Sequence, residues 1–401
     1  MGAQSRIEGC RSLGHGRHPL HPAFTRYRPG GMAMRSGPAN PPFVSINYGA
    51  AGIAYALYRL ARARGEVRTR GDLLALASAW VQEAFALASH TEAYYDPDQG
   101  ITSETVGEVS LFHSASGLHC VDALVRLALS DAGGTARAIS AFVKASRRPC
   151  DNPDLTLGTA SLLLGCAELM ESAGTSSLLD VKLLRKRGDE IAAGLSEIVQ
   201  SEPIATSTRI QCLGIAHGWA GLLFALLRWT WATRRSVQPL LAAKLEELAE
   251  LANPYEGGVC WTVHNNSSSV MPGWCNGMAG YTMLFALAHD VLRVPKYAEL
   301  AERAAASAWN IEVSNGSLCC GNGGNGYAFL AAYRLTGARL WLDRARIAAR
   351  RASGDTSKLF FRDSLYKGAL GVALLASELD RPATAAMPLF EPARFNDEVS
   401  T

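Results

Sequence analysis

Gly214-Ile-Ala-His-Gly-Trp-Ala-Gly-Leu-Leu-Phe-Ala-Leu-Leu-Arg-Trp229 joins a short loop to an apolar run through the step Gly218-Trp-Ala-Gly221. A run that is apolar all round, rather than along one stripe, suits a buried helix. The step recurs on both sides of this segment: Gly49-Ala-Ala-Gly52, Ser114-Ala-Ser-Gly117, Gly158-Thr-Ala-Ser161, Gly277-Met-Ala-Gly280, Gly321-Asn-Gly-Gly324 and Gly368-Ala-Leu-Gly371. Two copies carry Ser in one slot. With 38 glycines in the chain a single pair could arise by chance, but seven pairs that each open an apolar run do not. The starts lie 44 to 65 residues apart, the period of a helical hairpin with variable loops. More polar stretches between them, at Gly71–Ser89, Leu178–Val199, Val237–Ala252, Tyr297–Trp309 and Ala338–Ala352, read as amphipathic outer helices. The pattern predicts an all-α, α/α arrangement. Glycines one helical turn apart would let the inner helices pack their backbones closely as they converge. If the repeats close into a ring, every loop ahead of an inner helix gathers at one end.

The bulk composition agrees with a folded enzyme-sized domain. Hydrophobic residues make up 48% of the 401 and charged residues 19%, so a large core can form. The net charge of +3 comes from 39 basic and 36 acidic side chains spread along the chain, which gives no electrostatic case for nucleic acid. No apolar run is long enough for a membrane span. Met1–Leu20 lacks the apolar core of a secretory signal, which predicts a cytoplasmic protein. Residues 1–42, rich in Gly, Pro, Arg and His and ending in Pro41-Pro42, read as a flexible leader before a single domain at 43–401. The nine cysteines are odd in number and mostly sit in apolar segments, as at Cys120, Cys166 and Cys212, which argues for reduced thiols.

Reactive residue types cluster in the loops just ahead of the glycine steps. Repeat four has His217 before Gly218, repeat five reads Pro272-Gly-Trp-Cys275-Asn-Gly277, and repeat six reads Leu318-Cys319-Cys320-Gly321. A catalytic zinc takes three protein ligands and one open position, and thiolates are favoured donors. Cys275, Cys319 and Cys320 would supply three. Spacing alone leaves two other readings open: small core residues beside glycine, or a disulfide between Cys319 and Cys320. Asp154, four residues ahead of Gly158, is by itself equally a helix cap or loop acid. Trp274 reads as a pocket wall. His113 and His119 flank the second repeat, and as lone histidines they read as structural, while His264 in a polar loop receives no role.

Trp-Cys-Asn-Gly-x-x-Gly at 274–280, Cys-Cys-Gly-x-x-Gly at 319–324 and Ala-His-Gly-x-x-Gly at 216–221 are similar to the zinc-ligand and active-site histidine motifs of the lanthionine synthetase C-like family. The resemblance extends over roughly residues 45–390 and includes Ser364-Leu-Tyr-Lys-Gly368 and Met387-Pro-Leu-Phe-Glu391. It implies an α/α toroid of seven inner and seven outer helices around one zinc per chain. Cys275, Cys319 and Cys320 would ligate that zinc, His217 would act as acid or base, and Asp154 would stand near it. The implied reaction adds a peptide cysteine thiol to dehydroalanine or dehydrobutyrine, forming a thioether. The implied partner is a dehydrated precursor peptide, prepared by a separate dehydratase or kinase, because the chain carries no kinase signature or phosphate loop.

Many members have Cys-His-Gly where this chain has Cys319-Cys320-Gly321. A third thiolate makes the zinc more electron-rich and leaves a bound substrate thiolate more nucleophilic. Met271 replaces an arginine and Asn276 a tyrosine found in some cyclases, changes that bear on substrate preference. Alternatives to peptide cyclisation are addition of glutathione or another small thiol, and a zinc-containing peptide-binding scaffold without turnover. A glycosidase toroid is disfavoured, since no loop pairs two carboxylates at the repeat starts.

Overall fold

A computed structural model of the chain describes residues 44–63, 67–95, 101–174, 181–354 and 363–392. The expected leader, residues 1–42, lies outside the described residues. In chain order the helices are α1 (Ala50–Ala63), α2 (Val67–Leu87), the single turn α3 (Ser103–Val106), α4 (Ala115–Ala128), α5 (Ala132–Ala145), α6 (Thr159–Ala173), α7 (Lys182–Ser201), α8 (Trp219–Thr233) and α9 (Pro239–Glu250). A hairpin of β1 (Asn253–Tyr255) and β2 (Gly258–Cys260) follows, turning through Glu256 and Gly257 at positive φ. Then come α10 (Met278–Leu292), α11 (Pro295–Asn310), α12 (Asn322–Thr336), α13 (Arg339–Gly354) and α14 (Ala369–Glu378).

Each glycine step opens an inner helix, and the expected α/α toroid is the observed architecture. In α6 every residue from Ala160 to Met170 is buried, and in α10 every residue from Met278 to Ala288. The outer helices bury one stripe, as α7 does with Leu184, Gly188, Ile191, Leu195 and Val199. Contacts run α1–α4–α6–α8–α10–α12–α14 and back to α1, closing the inner ring. Among the described residues six outer helices flank it: α2, α5, α7, α9, α11 and α13. No helix among them is long and apolar enough to cross a membrane.

The glycines serve a more local purpose than helix-to-helix approach. At the second position of the step, a Cβ on Gly52, Gly117, Gly221, Gly280, Gly324 or Gly371 would stand 1.9 to 2.3 Å from the carbonyl oxygen six residues upstream in its own loop. The missing side chain therefore lets the loop fold tightly back over the first turn of its helix. Repeat three has Ser161 there instead, and its Oγ accepts a bond from Leu111 N of repeat two at 2.8 Å.

These loops form a continuous belt. Asn47 N donates to Phe112 O, Thr156 Oγ1 to Ala216 O, Ala216 N to Cys275 O, Cys275 N to Cys319 O, Cys319 N to Tyr366 O, and Leu365 N to Asn47 O. With the Leu111–Ser161 bond, every neighbouring pair of repeats is tied, including seven to one.

After α14 the chain turns into the bore of the ring. Met387, Leu389 and Phe390 are fully buried, and Phe390 stacks on Phe224 with ring centroids 3.7 Å apart. Three arginines on apolar inner helices hold this plug by its backbone. Arg59 Nη2 donates to Ala386 O at 2.9 Å, Arg228 Nε to Phe390 O at 3.0 Å, and Arg334 to Ala385 O. Their charges are met by Glu378, Glu171 and Glu391. Leu389 adopts the left-handed φ of 57°, rare for a branched residue, and its N–H is held by Tyr55 Oη at 3.0 Å.

Candidate active site

The belt places seven residues in equivalent positions, each just ahead of a glycine step: Tyr48, His113, Leu157, His217, Asn276, Cys320 and Lys367. All stand at the mouth from which the seven inner helices start. The N-termini of those helices carry partial positive charge toward this end, which favours anions there.

Asp154 and His217 meet although 63 residues separate them, with His217 Nδ1 2.9 Å from Asp154 Oδ2. Asp154 is not the cap of α6, a position held by Gly158. Its Oδ1 instead accepts bonds from Thr156 N at 2.7 Å, Leu157 N at 2.8 Å and Thr156 Oγ1 at 3.0 Å, which fixes the carboxylate in its loop. Thr156 Oγ1 also lies 3.2 Å from His217 Nδ1. Sequence reading passed over this threonine, and nothing in its type or position marks it. A proton on Nδ1 directed at the carboxylate assigns proton exchange to Nε2. Burial acts to raise the Asp154 pKa, but His217 and the two backbone N–H groups outweigh it and hold it below the usual carboxylate value. Burial likewise pulls His217 down, and Asp154 more than compensates, so the imidazole lies above its ordinary 6.5.

The sign of both shifts sets a pH window. The stability that the pair contributes is present above the unfolded Asp154 pKa of 3.8 and is lost as pH falls through the lower folded value. The His217 share is complete below 6.5 and is lost as pH rises through the raised folded value. If the protonated imidazole does chemistry, Asp154→Asn is expected to move the alkaline limb of the rate profile to lower pH. An unmoved limb would separate the pair from the chemistry.

The sulfurs of Cys275 and Cys319 are hydrogen-bonded to each other across repeats five and six. Cys275 keeps its proton, raised foremost by the bond to Cys319 and then by burial. Cys319 is driven toward thiolate by that same bond, against burial and with help from Lys367 and His217. Cys320 is disulfide-bonded, which overturns the expectation of a reduced thiol at this position. Since Cys319 is free, the two adjacent cysteines do not pair with each other. The Cys320 Sγ lies 3.9 Å from both Asn315 Nδ2 and Ser317 Oγ. The structure thus joins two of the three predicted ligands, and among the described residues no three His, Cys, Asp or Glu side chains already form a metal-binding group. The donor chemistry fits zinc all the same. Two free sulfurs, of buried Cys275 and half-buried Cys319, meet near helix N-termini, and the third, Cys320 one residue along the same loop, can donate to a metal only once its disulfide is reduced.

Trp274 is a wall, as expected: it is buried and packs edge-on against Phe390 at 5.3 Å. His119 packs on Phe85, and His264 Nδ1 lies 3.4 Å from Cys212 Sγ. His113, Tyr48 and Lys367 belong to the mouth. Lys367 Nζ is 5.9 Å from the centre of the Tyr48 ring, and the His113 ring is 5.7 Å from it on centroids. Lys367 received no role from the sequence. The signal was its register, since it holds in repeat seven the place that His217 holds in repeat four.

Residues 44–388 match the family described as lanthionine synthetase C-like protein. The chain is 28% identical over 196 residues to Glutathione S-transferase LANCL1 of Danio rerio, a match covering 45% of this chain and 45% of that protein. It is 27% identical over 190 residues to LanC-like protein GCL1 of Arabidopsis thaliana, covering 44% and 43% respectively. The match thus spans less than half the length of these curated relatives. The solved structure of nisin cyclase shares the fold, with a TM-score of 0.61 at 14% identity over 86% of this chain and 90% of that one.

Proposed function

Because this chain belongs to the lanthionine synthetase C-like family, we propose that it adds a cysteine thiol to a dehydroalanine or dehydrobutyrine residue of a modified peptide, forming a thioether. The observation that carries this reading is the pairing of His217 with Asp154 at the same mouth as the Cys275–Cys319 sulfur pair. Cys275, Cys319 and Cys320 would hold one zinc, whose chemistry when bound is to keep an incoming thiol as thiolate near neutral pH.

In the addition, a bond forms between the substrate sulfur and the β-carbon, and the double-bond electrons move onto the carbonyl oxygen. The α-carbon must then receive a proton. His217 supplies it from Nε2, its raised pKa favouring the protonated ring, while Asp154 fixes the ring and Thr156 steadies the carboxylate. Trp274 and Phe390 close the floor against water. We place the reaction in the cytoplasm, where thiols stay reduced. A separate dehydratase or kinase would prepare the peptide.

His217→Ala is expected to keep its zinc and to slow thiol addition about a hundred- to ten-thousand-fold. Loss of zinc from this variant would make His217 a ligand, and an unchanged rate on a dehydrated cysteine-containing peptide would make it structural. A small thiol in place of peptide cysteine is the second reading, favoured by the name of the Danio rerio relative. Glutathione consumption on a dehydrated peptide that lacks cysteine separates the two.

A further inference from the structure

We infer that Lys367 and His113, brought together from repeats seven and two, form an oxyanion subsite that receives the carbonyl oxygen of the dehydroamino acid as it becomes an enolate. The inference rests on the thiol-addition reading above and adds groups to which that reading gives no role.

The His113 side chain is 2% exposed. Its Nε2 lies 3.4 Å from Asn47 Nδ2, an N–H donor, so this nitrogen accepts and Nδ1 carries the hydrogen. Among the described residues that Nδ1 has no hydrogen-bond partner, and neither has Asn47 Oδ1. Leaving a buried donor unpaired is costly, so an orphan at the mouth points to a partner that arrives with substrate. Burial and then the nearby Lys367 charge push the His113 pKa down to about 3, and the ring is neutral across the working range.

Lys367 supplies the charge. Its backbone is fixed from two sides. Its own N–H donates to Ser364 Oγ at 2.9 Å, and that hydroxyl donates to Asn47 O at 2.6 Å. Tyr366, the residue before it, accepts the Cys319 N–H at 3.0 Å. The lysine therefore stands between the repeat that supplies Asn47 and the loop that supplies a sulfur. Tyr48 above all raises its pKa, burial opposes, and Cys319 adds to the rise, so the ammonium persists. Tyr48 lies within 6 Å of both groups. An ammonium and a fixed N–H that both border the Tyr48 ring make a pre-organised seat for a single anionic oxygen. The mouth is then partitioned, with the sulfurs on repeats five and six, the proton on repeats three and four, and the developing charge on repeats seven and two.

When the sulfur–carbon bond forms, the displaced π electrons reside on the carbonyl oxygen opposite these two donors. They return to the α-carbon as His217 delivers its proton, and Lys367 and His113 keep theirs throughout. Removing one donor from such a site typically costs about a hundred- to a thousand-fold in kcat. Lys367→Met should show that loss in kcat with KM and zinc content unchanged, and Lys367→Arg should recover part of it. A rise in KM at constant kcat would overturn the assignment.

A second measurement does not depend on turnover. In protein with 15N-labelled histidine, acetate is titrated as an oxyanion probe and the His113 ring resonances are followed. Wild type should respond and Lys367→Met should not. If wild type adds no thiol to any dehydrated peptide and yet shows this Lys367-dependent response, the anion subsite stands and the thiol-addition reading fails. If neither kcat nor the His113 resonances depend on Lys367, the subsite is refuted.

Discussion

Truncation after Asp380 is expected to yield a chain that no longer unfolds cooperatively. The deletion removes Met387, Leu389 and Phe390, all fully buried. Replacing residues of these types by alanine in a core costs roughly 2–5 kcal/mol each, and a whole domain is stable by only about 5–15 kcal/mol. It also strips Arg59, Arg228 and Arg334 of backbone acceptors in the bore, and Arg334 of its Glu391 partner, which leaves buried charge under-compensated. The single change Phe390→Ala takes away the ring stacked on Phe224 and should cost about 3–5 kcal/mol while the chain still folds. Thermal unfolding followed by near-ultraviolet circular dichroism orders the three proteins as wild type, Phe390→Ala, truncation. A truncated chain that melts with wild-type sharpness and midpoint would show that the plug contributes nothing to the ring.

Cys275→Ala should lose both its zinc and its thiol-addition activity, the larger of the two effects on chemistry. Three thiolates are the minimum protein share of a catalytic tetrahedral site, and two leave the metal weakly held. The partner sulfur suffers as well, since the bond from Cys275 is the first cause that moves Cys319 toward thiolate. Activity should therefore fall below the His217→Ala variant, whose loss is limited to about ten-thousand-fold. Elemental analysis after dialysis, run beside Cys319→Ala and Cys320→Ala, checks each ligand in turn. A full equivalent of zinc in any one of them removes that cysteine from the set.

The repeat was legible because seven glycine steps each open an apolar run, and the fold follows from that register. The placement of His217 and the three cysteines at one mouth follows too, since all four lie in equivalent loops. The Asp154–His217 pair was named from resemblance. Its contact spans 63 residues and exists only because repeats three and four are neighbours in a closed ring. The reason for the glycines read differently in sequence and structure. Spacing suggests helices approaching one another, whereas the space is used by each loop's own carbonyl. Lys367 and Tyr48 carried no chemical signal alone, and only alignment of the seven steps puts them beside His113. The plug was hidden for another reason. Seven residues from Ala385 to Glu391 have no period to read; Met387–Glu391 entered only as part of the resemblance, without a place in the fold. The physical trace is indirect: an arginine in each of three apolar inner helices, which a buried helix keeps only with a partner.

The bond from Leu365 N to Asn47 O joins segments synthesised at opposite ends of the described chain. Until repeat seven leaves the ribosome, repeat one has no neighbour on one side, and Tyr55 and Arg59 face a bore still open to water. Such a closure pays its loop entropy before any of its contacts form, which slows folding and prolongs the exposure of apolar inner helices. The toroid is in this sense a clasp whose two halves are made far apart in time. Its yield in a cell should depend on how well the unclosed arc is shielded while the last repeat is still being translated.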